Sequence, residues 1–350
     1  MGMNEYYSEE IHGPHQYFEL GDFALDSGYT LRAARIAYKT HGTLSPARDN
    51  VILFPHFYSG TSSTLEHWIG EGRPLDPTKY FIICPGQLGG GFSSSPSNTP
   101  APFNQAAFPA VSIGDDVRAQ HRLLTGELGI SELQLVVGWS MGGMQTYEWA
   151  VRYPEMVKRA APMAANARTP VQNTLLIDVH EALLTSDPAW NDGFYTEPHA
   201  VQRGLRQHAL AFALTGMCPE FYRAEGWRAA GCSSLEDFKR GFLEGYFLPM
   251  DPNNLLCQAQ KWREADVSRH TNGDLGAALG RITARTVVTA VNTDMFFPVE
   301  DCRQDAAQIP GAELRIIESV WGHMTGFCVL EADAQAIDAV IRDVFALPTE

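Results

Sequence analysis

The sequence predicts an α/β fold: a mostly parallel central sheet flanked by helices, interrupted by an inserted helical lid. Three observations predict it. Short apolar, β-branched runs at 51–54, 80–84, 135–137 and 285–290 recur with helix-patterned segments between them, the alternation a parallel sheet requires. One of these runs passes through Gly138-Trp139-Ser140-Met141-Gly142 into a helix-forming stretch at 144–151. Between 168 and 282 the strand pattern disappears, and the chain is aromatic-rich and helical until the pattern resumes. The expected division is therefore a first core part over 1–167, a lid insertion over 168–282 and a second core part over 283–350.

Taken in order, residues 1–14 are polar and expected to be poorly ordered, with His12 and His15 read as solvated because no third metal ligand lies near. Strands are expected at 17–23, 30–38, 51–54 and 80–84, separated by turn clusters at 26–28 and 45–50. Ile113, Val117, Leu124 and Leu128 recur at near-helical spacing, so a helix over 113–128 precedes the strand at 135–137. Residues 156–166 carry the next strand. Within the lid, helices are expected at 171–185, 198–215, 235–244 and 254–265, punctuated by Asp187-Pro188, Thr215-Gly216, Gly231, Pro249 and Pro252. Strands at 285–290 and 313–318 and an amphipathic helix at 334–345 complete the core.

Composition narrows the function classes. With 350 residues, 45% of them hydrophobic and 19% charged, the chain is long enough for a sizeable core. A net charge of −15 without a basic stripe argues against nucleic acid or an anionic membrane as partner. No apolar run reaches membrane-spanning length and the start is polar, so a cytoplasmic protein is expected. Its six scattered cysteines, with no C-x-x-C pair, fit reduced thiols. No H-E-x-x-H or similar spacing suggests a metal. The glycines from Gly86 to Gly91 lack dinucleotide-loop spacing and lead into a Ser/Pro-rich loop, so no cofactor is expected.

The chemistry concentrates on Ser140. G-x-S-x-G between a strand and a helix is the context of a nucleophile elbow, in which flanking glycines allow close backbone approach and the helix N-terminus faces a developing oxyanion. Serine needs a base and an orienting acid. His323, in Trp321-Gly322-His323 beyond the last strand, is the late histidine able to act as base. Asp294, beyond the strand at 285–290, is the acid, with Asp301 as the nearby alternative. Ser, Asp and His in that order, each at a strand end, give the α/β-hydrolase layout. The oxyanion donors are then the backbone N–H groups of Met141 and of Tyr58, in the loop Pro55-His56-Phe57-Tyr58-Ser59-Gly60. His56 in that loop is read as structural. Trp139, Phe57 and Tyr58 crowd the elbow and the oxyanion loop and favour a short acyl group, and Phe57, Trp139 and Met324 are the expected substrate-pocket residues.

The elbow with Glu148-Trp149-Ala150, the upstream Asp115-Asp116-Val117-Arg118-Ala119-Gln120, the lid phrase Asp187-Pro188-Ala189-Trp190 and Asp294-Met295-Phe296-Phe297-Pro298 resemble the homoserine O-acetyltransferase family, from about Gly21 onward. The resemblance implies a helical lid on an α/β-hydrolase core, an acyl-enzyme mechanism and a homodimer formed through the lids. Family acetyltransferases carry Gly-His-Asp at the catalytic histidine, the aspartate binding the amine of homoserine; here that place is Met324. They also carry a lid arginine for the substrate carboxylate, where this chain has Val179-His180-Glu181-Ala182. The elbow has Gly-Trp-Ser for the usual Gly-Gly-Ser, and the oxyanion loop replaces a His-Ala-Leu-Thr-Gly type. A pocket without those charges suits no zwitterion. The likeness is thus to the family's acetyl-ester hydrolase branch, and the expected partner is a small-molecule ester. The runner-up is a homoserine O-acetyltransferase using acetyl-CoA, and a third reading is a non-catalytic binding protein of the same fold.

Overall fold

The β-branched runs pair into an eight-stranded sheet in the computed structural model, which describes residues 4–349. Its strands are β1 (Gln16–Ala24), β2 (Thr30–His41), β3 (Val51–Leu53), β4 (Phe81–Pro85), β5 (Leu135–Trp139), β6 (Arg159–Met163), β7 (Arg285–Val291) and β8 (Glu313–Ile317). They lie in the order β1-β2-β4-β3-β5-β6-β7-β8, antiparallel at β1–β2 and β2–β4 and parallel from β4 to β8. The sequence explains the difference. Edge strand β1 mixes exposed and buried residues, whereas every residue of β3 and β5 is buried, as expected where helices cover both faces of parallel strands.

Helix Ile113–Arg122 starts at a capping box, in which the Ser112 side chain accepts from Asp115 N–H and the Asp115 carboxylate accepts from Ser112 N–H. The expected helix over 113–128 does not continue uniformly, because Leu123–Glu127 widens into a π-turn. The 235–244 segment does the same over Phe238–Glu244. Between β6 and β7 lie the helices Val171–Thr185, Gln202–Gly216 and Pro252–Arg263, the first of which packs against both of the others.

The N-terminal segment departs from its expected disorder. Asn4 is buried, its Nδ2 donating to Pro249 O at 3.1 Å, and Glu9–His12 forms a helical turn. His15 is buried and stacks on Phe92 with ring centroids 3.9 Å apart; burial pushes its pKa down to about 4, so it is neutral. Tyr6, Tyr7 and Phe92 supply the apolar contacts that the polar composition concealed. Residues 1–3, included in that expectation, lie outside the described residues. Among the described residues no helix is long and apolar enough to cross a membrane, and no cluster of His, Cys, Asp and Glu could hold a metal.

A buried ion pair joins lid to core. Lys261, on the lid helix Pro252–Arg263, places Nζ 2.7 Å from Asp116 Oδ2 and 2.8 Å from both Gln87 Oε1 and Leu88 O, using all three ammonium donors. Both side chains are fully buried, and burial pushes the Asp116 carboxyl up to about 6 against the pull of Lys261. Replacing Lys261 by Met removes one charge and strands the other. The expected loss is about 3–5 kcal/mol of unfolding free energy, read from urea denaturation. A loss under about 1 kcal/mol would contradict a tight latch.

Candidate active site

The elbow exists because two chain segments approach more closely than side chains permit. A Cβ on Gly138 would lie 2.2 Å from Gly142 C, and one on Gly142 would lie 2.2 Å from Pro55 O, the carbonyl just beyond β3. Glycine at both positions lets the end of β5 and its helix pack against the loop after β3. Ser140, between them, is held at φ 57°, ψ −122°, a conformation costing on the order of 1–3 kcal/mol for a non-glycine residue. Its N–H donates to Met163 O at 2.9 Å and its C=O accepts from Met144 N–H at 3.0 Å, which fixes the turn. The helix Met141–Arg152 begins at the next residue, with its N-terminal end at the serine.

The loop after β8 brings His323 to Ser140, and the loop after β7 brings Asp294 to His323. His323 Nε2 lies 2.8 Å from Ser140 Oγ, and His323 Nδ1 lies 2.7 Å from Asp294 Oδ2. An ionised carboxylate only accepts, so Nδ1 carries the imidazole proton and Nε2 offers its lone pair to the serine hydroxyl. Asp294 Oδ1 is occupied separately, accepting from Phe296 N–H at 2.7 Å and Phe297 N–H at 3.1 Å. All three side chains are at least nine-tenths buried. Asp301, the alternative acid, sits in the first turn of Val299–Gln308 and makes no bond to His323. Trp139 has a second role, since its Nε1–H donates to His323 O at 3.1 Å and so ties the histidine loop to the elbow.

Tyr58 lies in the loop after β3 and lines the pocket with Ser140, and Met141 is the first helical residue after the serine. Neither backbone N–H has a hydrogen-bond partner among the described residues, so both are available to an incoming oxygen. His56 faces away from this chemistry. Its Nδ1 lies 2.9 Å from Phe57 O, and burial pushes its pKa down to about 3.

Phe57, Trp139 and Met324 line a pocket together with Ser140 and His323. The lid contributes residues that the sequence reading did not single out: Phe212, Phe242, Tyr246, Phe247 and Trp262. Their signal was the aromatic enrichment of the lid, but periodicity alone does not tell which aromatic faces a core and which faces a cavity. His323 is the single ionisable nitrogen in the lining, which contains no Asp, Glu, Lys or Arg among the described residues. His180, in the segment 179–182, is buried against His208. Met324 passes the end of the lid helix at Gly216, where a Cβ would lie 2.5 Å from the methionine methyl.

The chain is similar to several known proteins. Residues 50–327 match a family model described as the alpha/beta hydrolase fold. An ethyl acetate hydrolase of Pseudomonas veronii is 48% identical over 96% of each chain. A solved acetylester hydrolase from Corynebacterium glutamicum superposes with a TM-score of 0.97 at 44% identity, covering 99% of this chain and 100% of that one. A homoserine O-acetyltransferase of Leifsonia xyli is more distant, 32% identical over 95% of this chain and 90% of its own.

Proposed function

The chain belongs to the α/β-hydrolase family, and we propose that it is a serine esterase hydrolysing small, acetyl-type esters through an acyl-serine intermediate. The observation that carries the reading is the Ser140–His323–Asp294 hydrogen-bond chain, at 2.8 and 2.7 Å, opening into a pocket without charged side chains. Ser140 Oγ attacks the ester carbonyl as its proton passes to His323 Nε2, and Asp294 stabilises the resulting imidazolium. The N–H groups of Tyr58 and Met141 hold the oxyanion. His323 then returns the proton to the leaving alcohol, and a water activated the same way releases acetate.

The aromatic lining supports an uncharged, apolar alcohol part, and the 44–48% identical relatives named for ethyl acetate and acetyl esters support the acyl group. Residues 168–282 act as the lid. On its outer face Val171, Leu175 and Val179 follow i, i+4, i+8 spacing and are exposed, as are Leu210 and Leu214 on the adjoining helix. This stripe supports a homodimer joined lid to lid. Six unpaired cysteines support a reducing, cytoplasmic setting.

Ser140→Ala tests the nucleophile: the expected outcome is a loss on the order of 10⁴-fold or more in kcat with an unchanged thermal midpoint. Retention of more than about a tenth of the activity would remove Ser140 from the role. Acceptor choice rests on Met324. An ammonium group entering this lining finds no counter-charge, and an unpaired buried charge costs about 3–5 kcal/mol, or roughly 10²- to 10³-fold. Acetate release from ethyl acetate should therefore be indifferent to millimolar homoserine; efficient formation of O-acetylhomoserine from acetyl-CoA would establish the transferase instead. For assembly, light scattering should return a dimer mass for the native protein and a monomer mass for Leu175→Glu combined with Leu214→Glu. A monomeric native protein would refute the lid-to-lid reading.

A further inference from the structure

We propose that the lid builds the oxyanion hole: Gln258, Tyr246 and His208 are positioning residues that hold the Tyr58–Ser59 segment, so lid docking sets kcat as well as covering the pocket. The proposal rests on the esterase reading and on Tyr58 N–H as an oxyanion donor.

The hydrogen bonds of the loop carry it. His56 O accepts from Gln87 Nε2 at 2.6 Å, and Phe57 O from Gly60 N–H at 3.1 Å, both within the core. The next two residues are gripped from the lid. Ser59 N–H donates to Gln258 Oε1 at 3.0 Å, and the Tyr246 hydroxyl lies 3.2 Å from Ser59 Oγ and 3.4 Å from Ser59 O. The Tyr58 hydroxyl lies 3.2 Å from His208 Nε2, and His208 Nδ1 lies 3.0 Å from His180 Nδ1. Gln258 and His208 stand on the separate lid helices Pro252–Arg263 and Gln202–Gly216. Tyr246 comes from the turn Gly245–Phe247.

Why such a grip is needed follows from the backbone. Ser59 sits at φ +63°, a left-handed conformation that a serine keeps only when its surroundings over-determine it. Buried Ser59 N–H would otherwise have no partner, and relaxing φ at Ser59 would turn the adjoining Tyr58 away from Ser140. The two lid histidines have no place in the proton-transfer steps, yet they lie fully in the interior. Burial keeps them neutral, with His180 pushed down to about 3, so Tyr58 O–H can donate to His208 Nε2 and His208 Nδ1–H to His180 Nδ1.

Because an oxyanion donor acts in the transition state, its misplacement should lower kcat and leave ground-state binding unchanged. Steady-state kinetics with p-nitrophenyl acetate, with inhibition by 1,1,1-trifluoroacetone and by 2-butanone, distinguish the two. For Gln258→Leu we expect kcat to fall by about 10- to 100-fold with KM within about twofold, since losing a donor outright costs about 10²- to 10³-fold. The trifluoroketone, which adds to Ser140 as an oxyanion, should weaken by the same factor as kcat/KM, while 2-butanone is unaffected. If Gln258→Leu does not fold, Tyr246→Phe and His208→Phe make the same comparison with a smaller fall in kcat. An unchanged kcat, or equal weakening of both ketones, overturns the proposal. Native protein that neither turns over the ester nor binds the trifluoroketone would sink the esterase reading and this inference with it.

Discussion

Backbone packs directly on backbone in the site, where Gly142 meets the Pro55 carbonyl with no room for a Cβ between them. Everything that reacts is referred to that contact. It sets the distance between the helix carrying Met141 N–H and the loop carrying Tyr58 N–H, and two donors can share one oxygen only if that distance is small. A methyl group at either glycine would drive the two segments apart. The strain held in Ser140 follows from the same packing, because a chain turning that sharply from β5 into its helix has no unstrained route.

Burial gives the hydrogen-bond chain its direction. The Asp294 carboxylate lies in an aromatic surround, with the Phe296 and Phe297 rings 4.6 and 5.5 Å from that of His323. A charge in such a place must be paired, and Asp294 is held by His323 Nδ1–H and by two backbone N–H groups. The imidazole tautomer is thereby fixed without any charge in the pocket itself. Lys261 and Asp116 show the same principle used for structure: they are fully buried and mutually satisfied, and neither bonds to a member of the triad.

Much of this was legible in the sequence because strand ends are short-range features. The elbow is five consecutive residues, and Asp294 and His323 each follow a β-branched run directly, so pattern and chain order sufficed to bring three distant positions together. The lid was legible as a change of composition and in its helices, but its inward faces were not. Phe212 lines the pocket while Leu210 and Leu214, on the same helix, are exposed, a difference set by tertiary packing. The order of residues 4–15 was missed for the same reason, since Asn4 and His15 find their partners on Pro249 and Phe92, far along the chain.

The position after the histidine shows how one fold can divide between acceptors. Met324 occupies the place where the related acetyltransferases carry an aspartate, and Gly216 leaves its methyl group room against the lid. An aspartate side chain at 324 would enter a lining without Lys or Arg, its charge unmatched until a cationic substrate arrived. A thioether needs no such partner. The aromatic lid and the methionine are therefore one adaptation, because the lining that favours an uncharged ester is the lining that would destabilise the aspartate. With no group to recruit an amino alcohol, the acyl-serine meets what is small enough to enter an apolar pocket and present in excess, which is water.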